Sequence, residues 1–183
     1  MTLTTYKWTI DRYHHAIRAG VFNDKPLELI RGELIVMPPE GETHAYYNSE
    51  VGDYLRSLLG NRAKVREAHP ITLNNNSEPI PDLAIVKPLG RVYLEHHPYP
   101  RDIFWIIEFA NTTLTQDLTT KKQIYAESGI PEYWVVNLQK NQLHVYTDLQ
   151  KGIYATETIL TTGTRSPIAC ADVEIEVQRL INT

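Results

Sequence analysis

Two carboxylates interrupt otherwise apolar stretches. Asp82 follows Pro81 and opens Asp82-Leu83-Ala84-Ile85-Val86, and Glu108 follows Phe104-Trp105-Ile106-Ile107. A carboxylate at the end of a buried strand is costly unless it is hydrogen-bonded, paired or bound to a cation. On adjacent strands these two would bring hard oxygen donors together, the way Mg²⁺ is held, with waters and substrate phosphate completing its shell. The competing structural reading is a strand-end Asp accepting backbone N–H bonds and a Glu paired with an arginine. A cation follows in sequence. Asp117 and Lys121 stand at i,i+4 on one helical face. Lys121, Ile124, Tyr125 and Ser128 continue the side expected to turn inward. From there the Lys121 ammonium would reach the Glu108 strand, orient an attacking hydroxide and offset charge building on a phosphate. Lys122, turned about 100° round the helix, is the alternative cation, and a plain Asp117–Lys121 surface pair is the third reading.

The elements that must carry these residues follow from periodicity. Residues 9–19 read as a short helix capped by Thr9. Residues 27–37 read as a hairpin turning at Arg31-Gly32. Pro38-Pro39 end it, and a helix from about His44 to Leu59, capped by Thr43, carries the stripe Tyr47, Val51, Tyr54, Leu55, Leu58. Residues 61–70 read as basic and extended, and 71–73 as a short strand. The strand bearing Asp82 ends at Val86, and residues 102–110 form a central strand covered on both faces. A helix from Asp117 stops at Gly129. Strands at 132–138, 142–149, 152–160 and around 173–180 complete the chain. His14 and His15 have no partner cluster nearby in sequence and read as exposed or structural. The order implies an α/β or α+β fold with a mixed sheet flanked by helices.

Length and composition narrow the function. The 183 residues suit one domain, 1–183. Eighteen Lys and Arg against 22 Asp and Glu give a net charge of −4, which excludes coating nucleic acid by bulk charge but not a local basic cleft. Arg62, Lys64 and Arg66 alternate and would share one face of an extended segment against a phosphate backbone. The single Cys170 excludes an intramolecular disulfide and cysteine-rich zinc sites. There is no signal-peptide run or membrane-spanning window, so a cytoplasmic protein without membrane association is expected.

The order Asp, Glu, Lys resembles the PD-(D/E)XK nuclease superfamily, with Pro81-Asp82 as its "PD". Ala110 stands where that pattern has its in-strand lysine, and Lys121 on the following helix resembles a recurrent relocation. The segments 28–39, 81–86, 106–113, 117–138 and 142–146 are similar to the Uma-type family of restriction-endonuclease-like proteins, also labelled DUF820. The resemblance implies a restriction-endonuclease-like core with an N-terminal hairpin and extra C-terminal strands. It matches Gly32-Glu33 to the family's hairpin Gly-Glu, His44 to its histidine after the double proline, and Tyr133-Trp134 to its Tyr-Trp pair. Asp82 and Glu108 match its metal carboxylates and Lys121 its helix lysine. Asn111 stands where the family usually carries Ser.

Supporting roles follow for Glu33, as third carboxylate or lysine partner, and for His44, Asp117 and Asn111. Glu50 is another candidate carboxylate. His44, just inside a helix N-terminus, is expected to be neutral and to contact phosphate or water, or to serve the cap region. The expected function is hydrolysis of DNA phosphodiester bonds with Mg²⁺, Mn²⁺ substituting. The alternatives are a non-catalytic interaction protein on the same scaffold, or a metal-dependent hydrolase of RNA or another phosphate ester. A homodimer is expected, with Tyr146, Ile153 and Tyr154 as its candidate surface.

Overall fold

The fold was obtained as a computed structural model, which describes residues 4–23, 25–111 and 113–182. Helix α1 (Ile10–Arg18) begins at Thr9, whose hydroxyl oxygen accepts the Arg12 N–H. Strands β1 (Leu27–Ile30) and β2 (Glu33–Val36) pair antiparallel as a hairpin. Both turn residues, Arg31 and Gly32, have positive φ, the combination that matches the twist of the flanking strands. A side chain at position 32 would also collide with the Trp8 carbonyl, 2.8 Å from its Cβ.

Helix α2 (Glu42–Leu59) lays Val51, Leu55 and Leu59 on the main sheet and stops at Gly60. It begins earlier than the sequence suggests: Gly41 is its N-cap and Thr43 lies within its first turn. A 3₁₀ turn, Gly60–Arg62, then precedes β3 (Lys64–Glu67). Arg62 is therefore off the extended segment, and its guanidinium is paired with Asp172 at 2.6 Å. Lys64 and Arg66 alone share a strand face.

The main sheet continues with β4 (Leu83–Val86), β5 (Ile103–Ala110), β6 (Tyr133–Asn137), β7 (Gln142–Gln150) and β8 (Ile153–Leu160), in the order β3-β4-β5-β6-β7-β8. Only β5 and β6 run parallel. A parallel step needs a crossover. It is made by α3 (Leu114–Gln116), a π-helical turn (Asp117–Lys121) and α4 (Lys122–Glu127). This is the mixed sheet flanked by helices that the sequence implies. Alternate residues of β5 serve opposite faces. Trp105, Ile107 and Phe109 pack with α2 and the C-terminal segment, while Ile106 and Ala110 pack with Ile124 and Tyr125 of the crossover.

Three local expectations change. Residues 71–73 form no strand; Leu73 makes only an isolated bridge to Ser77 across a tight turn. The alternating 173–180 region pairs over two residues only, as β10 (Ile175–Glu176) against β9 (Thr164–Arg165), and then coils into α5 (Gln178–Ile181). Tyr146 and Tyr154 are not surface residues. Their rings stack on Tyr133 over the sheet, and the Tyr154 hydroxyl donates to the Ile130 carbonyl, so only Ile153 of that trio is exposed. No helix among the described residues is long and apolar enough to cross a membrane.

Ile107 is wholly buried between β4, β6 and α2. Ile107→Ala should lower stability by about 2–5 kcal/mol through lost transfer energy and the cavity left behind. Urea unfolding checks this as a lower midpoint at unchanged slope.

Candidate functional site

The antiparallel register of β4 and β5 pairs Leu83 with Ile107, which sets Asp82 opposite Glu108 at the strand ends. Their groups interlock. The Phe109 N–H donates to Asp82 Oδ2 at 2.6 Å, and the Asp82 N–H lies 3.4 Å from Glu108 Oε2. On the other side of Glu108, Oε1 accepts from the Tyr125 hydroxyl at 2.8 Å and meets Lys121 Nζ at 3.0 Å. Lys121 Nζ is also 3.7 Å from Asp117 Oδ1. Three of the expected residues therefore converge, with Asp117 behind them.

The π turn accounts for that convergence. The Lys122 N–H reaches back to the Asp117 carbonyl, an i→i+5 bond, and the buried Tyr133 hydroxyl donates to the same carbonyl. Such wide turns recur where a helix must present functional side chains. Asp117 and Lys121 both face the cavity, whereas Lys122 points over the Tyr146 ring at 4.7 Å.

His44, in the first turn of α2, donates to Asp82 Oδ2 at 2.9 Å through Nε2 and to Glu40 Oε1 at 2.7 Å through Nδ1. The expectation of a neutral imidazole is reversed. The Asp82 bond, seconded by Glu40, outweighs burial and pushes its pKa up to about 9, which favours the cation at neutral pH.

The remaining expected residues divide. Asn111 is exposed at the cavity wall, its backbone carbonyl accepting from Gln139. Glu33 stands away from the cavity, exposed and paired with Lys7. Glu50 is exposed on α2 and lines no part of the cavity. Arg66 is half-buried under Tyr93, its Cζ 5.4 Å from the ring centroid.

Sequence reasoning missed Glu28. It is buried in β1, its Oε2 accepts the Ile80 N–H at 3.2 Å, and it lines the same cavity as Asp82, Glu108, Asp117 and Lys121. The signal was present: Glu28 lies between Leu27 and Leu29, the same carboxylate-among-apolar pattern that marks Glu108. The hairpin does contribute a carboxylate, but from its first strand.

The electrostatics are those of an anion-rich pit holding one lysine. Burial works against the Lys121 ammonium, yet Glu108, Glu28, Asp117 and Asp82 outweigh it and raise its pKa. Burial raises Glu108 well above the usual carboxylate range, against the pull of Lys121, and raises Asp117 too. Six carboxylates (Glu28, Glu40, Glu42, Asp82, Glu108 and Asp117) line this cavity of about 480 Å³ with Lys121 and His44, so carboxylates outnumber cations.

Among the described residues no group of three or more His, Cys, Asp or Glu is arranged to hold a metal. The donor set nevertheless fits Mg²⁺. That ion binds one or two protein carboxylates and keeps waters and substrate phosphate as its other ligands. A cation also suits a cavity in which carboxylates outnumber the positive side chains.

Lys121→Met would leave Glu108 and Asp117 buried without their cation. In metal-free buffer near pH 8 the loss should be about 3–5 kcal/mol. Because burial holds both carboxyls above their ordinary pKa, the folded state binds more protons than the unfolded one, and stability falls as pH rises through that range. The loss should therefore shrink towards about pH 5. Urea unfolding at both pH values checks this; an equal loss at both would exclude the charge explanation.

Comparison with known proteins agrees with this frame. A family model, Uma2, described as "Putative restriction endonuclease", matches residues 10–179. The fold is similar to the crystal structure of a putative nuclease belonging to DUF820 from Anabaena variabilis ATCC 29413, with a TM-score of 0.70 and 16% sequence identity over 86% of this chain and 90% of that one. No protein of curated function matches. With the family model spanning nearly the whole chain and the sheet, crossover and strand-end carboxylates disposed as described, this protein belongs to the Uma2 family of nuclease-like proteins.

Proposed function

We propose that this protein is a Mg²⁺-dependent endonuclease that hydrolyses phosphodiester bonds in DNA. The observation that carries the reading is the 3.0 Å approach of Lys121 Nζ to Glu108 Oε1, because it supplies from the crossover the cation that Ala110 removes from the strand.

Asp82 and Glu108 would hold the metal. When bound, the ion supplies a Lewis acid for a phosphate oxygen and a water of lowered pKa. The chain's own groups do the rest. Tyr125 and Lys121 engage one Glu108 oxygen and turn the other towards Asp82. The Lys121 ammonium, kept charged by its carboxylate neighbours, sits where it can orient the attacking oxygen and offset charge on the pentavalent phosphate. His44 is a second cation on the Asp82 side; with its ring N–H groups held by Asp82 and Glu40, it orients the Asp82 carboxylate. Glu28 joins the carboxylates that hold Lys121 charged. Strand cutting on both sides of a duplex would use two copies of the chain.

Cleavage of plasmid and single-stranded DNA with Mg²⁺ or Mn²⁺ tests the reading. Lys121→Ala should lower turnover by about one to several powers of ten, with DNA affinity little changed. Lys122→Ala should stay active, since its ammonium lies over Tyr146. Equal activity of all three proteins would remove Lys121 from the mechanism.

Metal binding has its own readout. Mg²⁺ at about a hundred times its dissociation constant should add about 2.7 kcal/mol of stability, seen as a rise in melting temperature. Asp82→Ala should abolish that rise, and a response unchanged by the substitution would place the metal elsewhere.

A further inference from the structure

A second cavity, of about 550 Å³, lies apart from the one at Glu108. It lies between α1, the segments 70–72 and 78–80, and the connection 93–99. The two cavities share a wall, since Ile80 lines both. Two extended segments cross from one to the other, joined by the Ala68 N–H to the Asp82 carbonyl and the Ile71 N–H to the Pro79 carbonyl. Ala68 and Asp82 face the first cavity; Pro70, Thr72 and Glu78 face the second. Glu78 and Asp82 are four residues apart, so at about 3.3 Å per residue their Cα atoms lie within about 13 Å. The two cavities are thus neighbours along one extended segment.

The second cavity has a polar floor and flat sides. Buried Glu78 holds His14 Nε2 at 2.8 Å with each oxygen and accepts from the Thr72 hydroxyl at 2.8 Å. His97 stands edge-on to His14, ring centroids 6.4 Å apart, and its ring has no hydrogen-bond partner among the described residues. Burial pulls its pKa below the ordinary value, so it offers one donor and one acceptor nitrogen. His96 stacks on Tyr99 at 4.4 Å and Arg101 lies over that same ring, so Tyr99 is covered and backs His96, whose outer face is the flat surface left for a ligand. The rim is apolar and open, with Leu94 74% and Ile17 45% exposed. A carboxylate floor is a poor seat for a phosphate. A flat shelf beside an unpaired donor and acceptor is how a splayed-out base is read, by stacking on its face and hydrogen bonds to its edge.

We propose that this cavity receives one unstacked nucleobase of the strand whose phosphodiester lies at Asp82 and Glu108, so that the preferred substrate carries an unpaired nucleotide beside the cleavage point. This rests on the nuclease reading above and names its substrate class.

The test compares a fully paired duplex, the same duplex with one bulged nucleotide, and that bulge made abasic. The wild type should cut the bulged duplex about tenfold or more faster than the other two, a base-stacking contribution. Ile17→Trp, which fills the cavity from an exposed position, and His97→Ala should each bring the three rates within about twofold while paired-duplex cutting is unchanged. Equal rates for the wild type, or a preference that survives both substitutions, would overturn the proposal. If the wild type cuts none of the three, the nuclease reading fails and binding decides the cavity. Asp82→Ala protein is then titrated with a bulge carrying the fluorescent base 2-aminopurine. Quenching and tighter binding than to paired duplex, both lost in Asp82→Ala/Ile17→Trp, would support the cavity; equal affinity would sink it.

Discussion

Everything at this site depends on keeping Glu108 buried at the end of the central strand. An isolated carboxylate there would take up a proton or unfold the strand end. The fold opposes this by surrounding it with the Tyr125 hydroxyl and the Lys121 ammonium of the crossover and the Asp82 N–H beside β4. None of these partners is adjacent to Glu108 in sequence. The position is consequently sensitive to how the crossover, β4 and β5 are assembled, and Glu108 is the point where those three elements are tied together.

The relocated lysine changes what the crossover does. A lysine at position 110 would lie on the same strand face as Glu108, two residues along, and would be carried by the sheet alone. At 121 it is carried by the π turn, whose wide hydrogen bond to the Asp117 carbonyl is reinforced by Tyr133. Helix α4 then buries Ile124 and Tyr125 against the β5 face that bears Glu108. The packing that stabilises the parallel β5–β6 pair is therefore the packing that holds Lys121 in the pit. Stability and site geometry are coupled through one short helix.

Charge balance links the pit to its ligand. Six carboxylates line the cavity beside Lys121 and His44, a setting that favours a bound cation. The same extended segment, 78–82, that ends at Asp82 begins at Glu78, whose partners are a histidine and a threonine. The two carboxylates thus have different surroundings. Glu78 is satisfied by fixed hydrogen bonds, while Asp82 is 16% exposed in a cavity open to ligand.

Much of the sheet and the Asp82–Glu108–Lys121 set was legible in the sequence. Burial of a charge among apolar residues is a local signal, and the side chains that share a strand or helix face follow from periods of 2.0 and 3.6. That is why β5 reads as central and why Lys121 separates from Lys122. The rest depends on distance in space. Glu28 carries the same local signal as Glu108, but only the docking of the hairpin against residue 80 turns it inward. Glu33, with the better motif match, is turned out to Lys7. The helix dipole argues for a neutral His44, and only the arrival of Asp82 from a strand 38 residues away makes it a cation. His14 has no nearby partner in the chain, yet it meets Glu78 across 64 residues and forms the floor of a second cavity. Periodicity and burial are properties of a segment and can be read from it. Charge state and pairing are properties of a neighbourhood, and the folded chain alone decides who the neighbours are.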